Sequence, residues 1–315
     1  MKILHCIGSY GLGGQERTLL NLLKLQNSTK KISDVFVLKE EGPLKRQFGE
    51  VASCLSFKVQ YKDLLSSYRK LFYIINLINE EKYDIVQFYH YSTISKLWLF
   101  LKLFTNVKIS YFIGSQGHNK TLLQKYHIKV ITQFIHLIIV NSKSICKSFK
   151  IDERSPKLFL LQNILPLELF EKIKNDKINY QKKDFIIGIV GRLDPVKRHD
   201  VFIKIAEKIL TVNKDVNFFI YGNGPMLKTI KQDIKNTLSP EKFYLYTNES
   251  NINEIYKNFD IFLLTSDSEG FSNAIMEAML FGIPCVVTKV GGNPDIIMHN
   301  ENGLLFPRGD SQISA

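Results

Sequence analysis

Residues 260–288 read DIFLLTSDSEGFSNAIMEAMLFGIPCVVT. The stretch begins with a short apolar run, Asp260 to Leu264, and ends with another, Pro284 to Thr288, and both have the length of buried strands. Between them, Asn273 to Phe281 has the apolar spacing of a helix. A strand, a helix and a further strand in this order predict a parallel sheet covered by helices.

The same alternation extends along the whole chain. In the second half, further strands are predicted at Phe185–Val190, Val216–Tyr221 and Phe243–Tyr246, with helices at Asp200–Leu210 and Pro225–Asn236. In the first half, the predicted strands are Lys2–Ile7, Asp34–Leu38, Asp84–Phe88, Lys108–Ile113 and Leu137–Val140, and the predicted helices are Gln15–Leu25, Tyr68–Ile78, Ser95–Phe104 and Leu122–Phe134. This pattern is typical of doubly wound α/β proteins.

The apolar periodicity lapses once, in a polar run from Lys172 to Lys183. We therefore expect two Rossmann-like domains, residues 1–165 and 185–315, joined by a linker at 166–184. In such sheets, ligands bind outside the carboxyl ends of the strands, so the site is expected in a cleft between the two domains.

Composition excludes several classes of protein. The chain has 315 residues, of which 45% are hydrophobic and 23% charged, so disordered and low-complexity readings are excluded. The four cysteines are scattered, which indicates neither a disulfide framework nor a zinc knuckle. No signal peptide is recognisable, and no apolar run approaches the ~18 residues of a spanning helix. A cytoplasmic protein is expected.

The positive charge is concentrated in the first half. Residues 1–180 contain 27 Lys and Arg against 14 Asp and Glu, whereas residues 181–315 contain 15 against 16. Residues 85–151 contain nine lysines and no acidic residue. Such a surface is compatible with an anionic membrane, an anionic substrate, a nucleic acid or simply a solvated lysine face. Nucleic acid is the least favoured, because no nucleic-acid-binding motif is present.

A glycine-rich turn, Gly11 to Gly14, separates the first strand from the first helix. Glycines such as Gly13 and Gly14 let backbone amides and a helix N-terminus approach a phosphate or a sugar. A dinucleotide fingerprint would require a third glycine where this chain has Glu16, so NAD is disfavoured. A tight turn without a ligand is the alternative.

Two cations follow the first strand of the second half, in the segment Gly191 to Lys197. Arg192, with its planar guanidinium, and Lys197, with its compact ammonium, could bind a diphosphate from two sides. By spacing alone, a solvated loop remains the alternative.

Two glutamates, Glu269 and Glu277, are eight residues apart at the turn and helix that follow the strand of Asp260 to Leu264. Carboxylates in these places can accept hydrogen bonds from the hydroxyls of a sugar ring and a ribose, and amides from Phe271 to Asn273 could contact a phosphate. A pair of acid and base carboxylates for hydrolysis is the rival interpretation. Glu277 lies among apolar residues, which disfavours a purely solvent-facing role.

Together these motifs resemble the retaining nucleotide-sugar glycosyltransferases of glycosyltransferase family 4, which have the two-domain GT-B fold. The motifs that carry the resemblance are Gly11 to Glu16, Val190 to Leu193 with Lys197, Tyr221 to Pro225, Glu269 to Met279, Gly282 to Pro284, and Gly291-Gly292. The likeness covers most of the chain and is more specific in the second domain.

The resemblance implies a role for each site residue. Residues 1–165 would bind the acceptor, and residues 185–315 the donor. Within the donor domain, Arg192 and Lys197 would hold the diphosphate, Glu277 the ribose and Glu269 the donor sugar. The sugar-phosphate site would be lined by Phe271, Ser272 and Asn273, and Gly13 and Gly14 would also contact the donor.

The resemblance also bears on cofactors. No metal is expected, since fixed cations and helix-start amides can stabilise the leaving diphosphate. No cofactor is expected besides a nucleotide diphosphate-sugar as co-substrate. A UDP-sugar is favoured, although the residues around Leu245 to Thr247 leave uracil and guanine open.

The chain departs from the family pattern in two respects. The position expected to hold a functional histidine after a first-domain strand holds Ile113, with His118 as the nearby candidate substitute and His90 as a weaker one. The chain also ends at Ala315, where similar enzymes continue into further helices. A truncated and therefore unstable or inactive form is expected on that ground.

The resulting functional prediction is a retaining hexosyltransferase in bacterial surface polysaccharide synthesis. Its acceptor would be a lipid-linked or other saccharide, and the enzyme would be cytoplasmic and peripheral on the inner face of the plasma membrane. A non-catalytic relative that binds a nucleotide sugar and a nucleotide-sugar epimerase of the same fold are the alternatives.

Overall fold

The computed structural model describes residues 1–11, 13–26, 33–57, 66–117, 120–166, 169, 184–247, 249 and 251–309. The chain divides into two compact units, Met1–Ile164 and Leu165–Ala315. Of the linker predicted at 166–184, residues 167–168 and 170–183 lie outside the described residues.

Unit 1 contains a parallel sheet with the strand order β3-β2-β1-β4-β5-β6-β7. Its strands are β1 (Ile3–Ser9), β2 (Ser33–Lys39), β3 (Ser53–Leu55), β4 (Ile85–Phe88), β5 (Lys108–Ile113), β6 (Leu137–Val140) and β7 (Leu158–Leu160). Its helices are α1 (Gly14–Gln26), α2 (Lys45–Val51), α3 (Ser66–Glu80), α4 (Tyr91–Phe104), α5 (Leu122–Phe134) and α6 (Lys143–Phe149). Apolar side chains of α1 and α2 pack on one face of the sheet, and those of α3 to α6 pack on the other.

Unit 2 contains a second parallel sheet with the order β10-β9-β8-β11-β12-β13. Its strands are β8 (Phe185–Val190), β9 (Val216–Tyr221), β10 (Phe243–Tyr246), β11 (Ile261–Leu264), β12 (Cys285–Thr288) and β13 (Leu304–Phe306). Its helices are α7 (His199–Val212), α8 (Leu227–Lys235), α9 (Ile252–Tyr256) and α10 (Asn273–Leu280). Its core is built from buried aliphatic and aromatic side chains of these strands and helices.

The two strand orders confirm the predicted fold class of two doubly wound α/β domains. In each sheet the order reverses between the first and the fourth strand of the unit, which are β1 and β4 in unit 1 and β8 and β11 in unit 2. Loops that follow these two strands diverge to opposite faces, which leaves a crevice at the carboxyl edge where ligands bind in such folds.

One predicted helix begins earlier than expected. The helix predicted at Ser95–Phe104 begins at Tyr91, directly after His90. Residues 91–93 have modest helix propensity, but Thr93 and Ile94 are buried, so packing against the sheet extends the helix toward β4.

Candidate functional site

The loops after β8 and β11 are tied together at the carboxyl edge of the unit 2 sheet. The Thr265 hydroxyl donates to the carbonyl oxygens of Lys197 and Arg198 at 3.1 and 2.9 Å. The backbone N–H of Asp267 donates to the Val196 carbonyl at 2.8 Å. The segment that contains Lys197 is therefore fixed to the end of β11 by backbone groups.

These two loops bring Lys197 and Glu269 into contact. The Lys197 Nζ donates to Glu269 Oε1 at 2.6 Å, and the buried Ser266 hydroxyl donates to the same oxygen at 2.6 Å. Both side chains of the ion pair are largely buried. The two hydrogen bonds fix the orientation of the Glu269 carboxylate.

A second layer holds the Glu269 backbone in place. Gly291 has φ +56°, and a Cβ at this position would overlap the Glu269 carbonyl oxygen, so only glycine fits. Below it, the Thr288 hydroxyl donates to the Ser266 carbonyl at 2.7 Å, and the Asn293 amide donates to the Thr288 carbonyl at 2.9 Å. These contacts hold the backbone of the loop that contains Glu269 in place.

Arg192 differs from Lys197 in its exposure. Its loop is paired by backbone hydrogen bonds, from the Gly191 N–H to Tyr221 O and from the Leu193 N–H to Asn223 O, each 3.0 Å long. The Arg192 side chain is 72% exposed, and its Nε lies 3.9 Å from Asp194 Oδ2. A rigid loop therefore presents a guanidinium to solvent.

Arg198 is an arginine of the same loop that sequence reasoning missed. Its guanidinium donates to both oxygens of Asp200 at 2.9 Å and to both oxygens of Asp267 at 3.2 Å. The hydrogen bonds from Arg198 lower the pKa of Asp200 and raise that of Arg198 itself. Arg198 thus crosslinks the two loops, and Arg192 and Lys197 remain the candidate ligand-binding cations.

Glu277 is buried on α10, as its apolar neighbours predict. The hydroxyl of the buried Tyr256 donates to Glu277 Oε2 at 2.9 Å. Tyr256 is a second residue that sequence reasoning missed, and it orients one carboxylate oxygen. Phe271 and Ser272, at the start of α10, are also buried, and Ser272 is the N-cap of the helix that begins at Asn273.

Two tyrosines stack at the carboxyl ends of β9 and β10. The rings of Tyr221 and Tyr246 have centroids 4.6 Å apart and planes at 14°. Burial raises the pKa of Tyr221 to about 12. An aromatic surface therefore adjoins Leu245 to Thr247, the segment predicted near the nucleotide base.

Beside the glycine loop of unit 1, a histidine and a glutamate form a hydrogen-bonded pair. His90, after β4, has its Nε2 2.9 Å from Oε1 of Glu16 in the first turn of α1. Because a carboxylate only accepts hydrogen bonds, Nε2 carries the proton in this contact. Glu16 is buried, His90 is partly exposed, and Gly13 leaves space for the second oxygen of Glu16. Gly14 is the first residue of α1.

The other positions considered for a functional histidine were His118 and Ile113. His118 lies outside the described residues, and Ile113 is buried at the end of β5. In the part of the chain that the structure describes, no three His, Cys, Asp or Glu side chains are grouped as metal ligands would be.

Comparison with known proteins shows what the chain is similar to. Residues 170–315 match the family model described as glycosyl transferases, group 1. The fold class is GT-B. The structure superposes on HepE from Anabaena in complex with UDP and glucose with a TM-score of 0.82 at 19% identity, covering 100% of this chain and 88% of HepE. It superposes on the lipopolysaccharide outer core galactosyltransferase WaaB with a TM-score of 0.76 at 21% identity, covering 99% and 88%.

Several proteins similar to this chain in sequence are named as glycosyltransferases. The chain is 25% identical to an Escherichia coli UDP-Gal:α-D-GlcNAc-diphosphoundecaprenol α-1,3-galactosyltransferase, over 98% of this chain and 85% of that enzyme. It is 28% identical to a Bacillus anthracis N-acetyl-α-D-glucosaminyl L-malate synthase, over 58% of this chain and 47% of that protein. A Staphylococcus aureus poly(ribitol-phosphate) α-N-acetylglucosaminyltransferase is 30% identical over 47% of this chain and 30% of its own length.

Proposed function

We propose that the protein is a retaining glycosyltransferase that moves a sugar from a UDP-sugar to a lipid-linked acceptor in bacterial surface polysaccharide synthesis. The observation that carries the proposal is the buried contact of Lys197, Glu269 and Ser266, which lies at the strand-order reversal of the unit that matches the glycosyl transferase model. A charged group fixed at this edge of an α/β sheet is suited to a bound ligand.

The donor would be bound by unit 2. Arg192 and Lys197 would contact the diphosphate, Glu277 the ribose and Glu269 the hydroxyls of the sugar. Lys197 would then bridge Glu269 and the phosphate oxygens, because an ammonium has three donors and one of them already reaches Glu269. The stacked Tyr221 and Tyr246 would adjoin the base.

The proposal that transfer needs no metal is supported by the same arrangement. The leaving diphosphate gains negative charge in the transition state, and preorganised cations and helix-start amides stabilise that charge at no cost in reorganisation. The backbone of the loop that carries Arg192 and Lys197 is fixed by hydrogen bonds, and Phe271 to Asn273 lie at the start of α10. The proposal therefore assigns the stabilisation of the leaving group to this chain's own residues.

The choice of donor and acceptor takes its support from the relatives. The Anabaena structure contains UDP and glucose, and the E. coli relative uses UDP-Gal with an acceptor on diphosphoundecaprenol. An acceptor of that kind is held in a membrane, which agrees with the positive charge of unit 1. We accordingly place the protein at the inner face of the plasma membrane, with unit 1 binding the acceptor.

Binding is tested first, by thermal shift with UDP, GDP, ADP and NAD. A ligand that binds only the folded state stabilises it by RT ln(1 + [L]/Kd) and so raises its melting temperature. We expect UDP to stabilise the protein and Arg192→Ala to abolish that shift. Lys204→Ala, which removes an exposed cation of α7, is the matched control and should leave it unchanged. A shift with NAD alone would contradict the proposal.

Turnover is tested next, with UDP-galactose, UDP-glucose or UDP-N-acetylglucosamine and GlcNAc-diphosphoundecaprenol as acceptor. We expect one donor to give a product whose new linkage is α by NMR, with a rate that EDTA leaves unchanged. A β linkage would overturn retention, and a rate abolished by EDTA would overturn metal independence. UDP binding without turnover would favour a non-catalytic relative, and donor conversion without acceptor an epimerase.

A further inference from the structure

The first turn of α5 exposes an unusual amount of apolar surface. Leu122 is 86% exposed, Leu123 81% and Tyr126 67%. Among the described residues of unit 1, the two leucines are the most exposed large hydrophobic side chains. The turn follows β5, so it lies at the carboxyl edge of the sheet, where the Glu16–His90 pair also lies.

The exposed turn is part of a well-formed helix. The Thr121 hydroxyl accepts from the Gln124 N–H at 3.2 Å, and the Gln124 side chain accepts from the Thr121 N–H at 3.1 Å. This reciprocal capping box fixes where the helix begins. The leucines are therefore held outward by a defined backbone, and their exposure is a property of the folded helix.

The apolar side chains of α5 divide between two faces. With about 100° between successive residues, Leu122, Tyr126 and Lys129 lie on one side of the helix. Ile128 and Ile131 lie on the other side and are buried in the core of unit 1. The core therefore does not use Leu122, Leu123 or Tyr126, and another surface can cover them.

The sequence segment that contains this turn carries charge of one sign only. The segment 85–151, which includes α4, α5 and α6, contains nine lysines and no Asp or Glu. Across the described part of the chain, none of these lysines lies within ion-pair distance of a carboxylate. Unit 2 offers a contrast, since it has Val212 and Leu238 at 90% and 93% exposure in a half of the chain with almost no net charge.

We propose that the first turn of α5 inserts Leu122 and Leu123 into an anionic bilayer, with Tyr126 at the interface and Lys125 and Lys129 of the same helix against the lipid headgroups. Exposed leucines flanked by an aromatic ring and lysines have the chemistry of interfacial helices. No helix in the described residues combines the length and apolarity of a membrane span, so the contact is peripheral. The inference rests on the membrane placement proposed above and is independent of glycosyl transfer.

Cosedimentation tests the surface with vesicles of phosphatidylcholine alone and with about one third phosphatidylglycerol. We expect binding to the anionic vesicles only, weakened by salt. The double variant Leu122→Ser/Leu123→Ser should lower the partition coefficient about tenfold or more, because each leucine loses its burial in lipid. Lys125→Gln/Lys129→Gln should lower it about tenfold through lost headgroup attraction. Leu238→Ser in unit 2 is the matched control and should bind as the parent does.

A fluorescence experiment separates insertion from simple adsorption. Trp98 is the single tryptophan of the chain, so Trp98→Phe with Leu123→Trp leaves one reporter on the turn. Anionic vesicles should shift its emission to the blue, whereas a reporter at Leu238 should show no shift. Equal binding of the serine variants, or an unshifted reporter at Leu123 on bound protein, would overturn the insertion. Retained UDP stabilisation in the same samples would show that the donor proposal is unaffected.

Discussion

Units 1 and 2 place a pair of polar side chains at the same topological position. In unit 1, Glu16 follows β1 and His90 follows β4, and their atoms are 2.9 Å apart. In unit 2, Lys197 follows β8 and Glu269 follows β11, and their atoms are 2.6 Å apart. Each pair bridges the strand-order reversal of its sheet, with the carboxylate and its partner in exchanged positions.

The comparison teaches that topology brings the partners together and that the residues decide what the pair can do. In unit 2, the Lys197 ammonium donates to the Glu269 carboxylate, so both groups are held in one place at this edge of the sheet. In unit 1, the partner of the carboxylate is the imidazole of His90, which is partly exposed. We therefore propose an anion contact for the unit 2 pair and a hydroxyl contact for the unit 1 pair.

The largest expected effect concerns Gly291, which packs against the backbone of Glu269. In Gly291→Ala, a Cβ would overlap the Glu269 carbonyl and force a left-handed residue, and we expect unit 2 to lose about 3 kcal/mol or more of unfolding free energy. In Gly13→Ala, the Cβ meets only the end of the Glu16 side chain, and we expect about 1 kcal/mol or less. Urea unfolding followed by far-UV circular dichroism measures both.

Gly282→Ala is the control for backbone strain, since Gly282 has φ +70° and no atom near its Cβ position. It should cost about 1 kcal/mol. Trp98 fluorescence reports unit 1 alone, so it should be unchanged in both unit 2 variants. Equal costs for Gly291→Ala and Gly282→Ala would show that the Glu269 backbone is free to move.

The next effect concerns the pairs themselves. Lys197→Met leaves a buried carboxylate without its cation, and we expect about 2 kcal/mol of destabilisation, part of which Glu269→Gln should restore in the double variant. His90→Gln in unit 1 should cost about 1 kcal/mol or less, because His90 is partly exposed. Lys204→Met is the exposed control. A larger loss in His90→Gln than in Lys197→Met would contradict the contrast between the units.

Much of this fold could be predicted from the sequence. The bounds of β5, β6, β8, β9 and β10 coincide with the predicted ones, because long runs of β-branched and aromatic residues specify buried parallel strands. Short elements were missed. The edge strand β3 has three residues, and its pairing is determined by its neighbour β2 and not by its own pattern.

The sequence identified the residues of the candidate site but not the contacts between them. Lys197 and Glu269 could be chosen from their motifs, yet they are 72 positions apart, and their contact depends on β8 lying beside β11. Glu16 and His90 are similarly 74 positions apart, and β1 pairs with β4. Strand order is set by packing between helices and sheet, which local periodicity does not report.

The smallest expected effect is a pH dependence that the two units share. Each contains a buried histidine, His5 in unit 1 and His199 in unit 2, and desolvation lowers the pKa of each to about 4. The charge of Lys197 lowers the pKa of His199 further, and Asp200 opposes this. In the unfolded chain each would titrate near 6.5, so the unfolded state binds more protons between pH 6.5 and 4.

The sign follows from that difference: both units are fully stable above pH 6.5 and lose stability as the pH falls toward 4. Between pH 7.5 and 5.5, where Asp and Glu stay ionised, each histidine should lower the unfolding free energy of its unit by about 1.4 kcal/mol. His199→Asn should remove the dependence from unit 2 and leave unit 1, read by Trp98 fluorescence, unchanged. His5→Asn should leave unit 2 unchanged and reduce the dependence of unit 1, where desolvation and the charges of nearby lysines also lower the pKa of His136. If either variant removed the pH dependence of the unfolding free energy from both units, the two units would unfold as one cooperative structure. The assignment of one histidine to each unit would then be wrong.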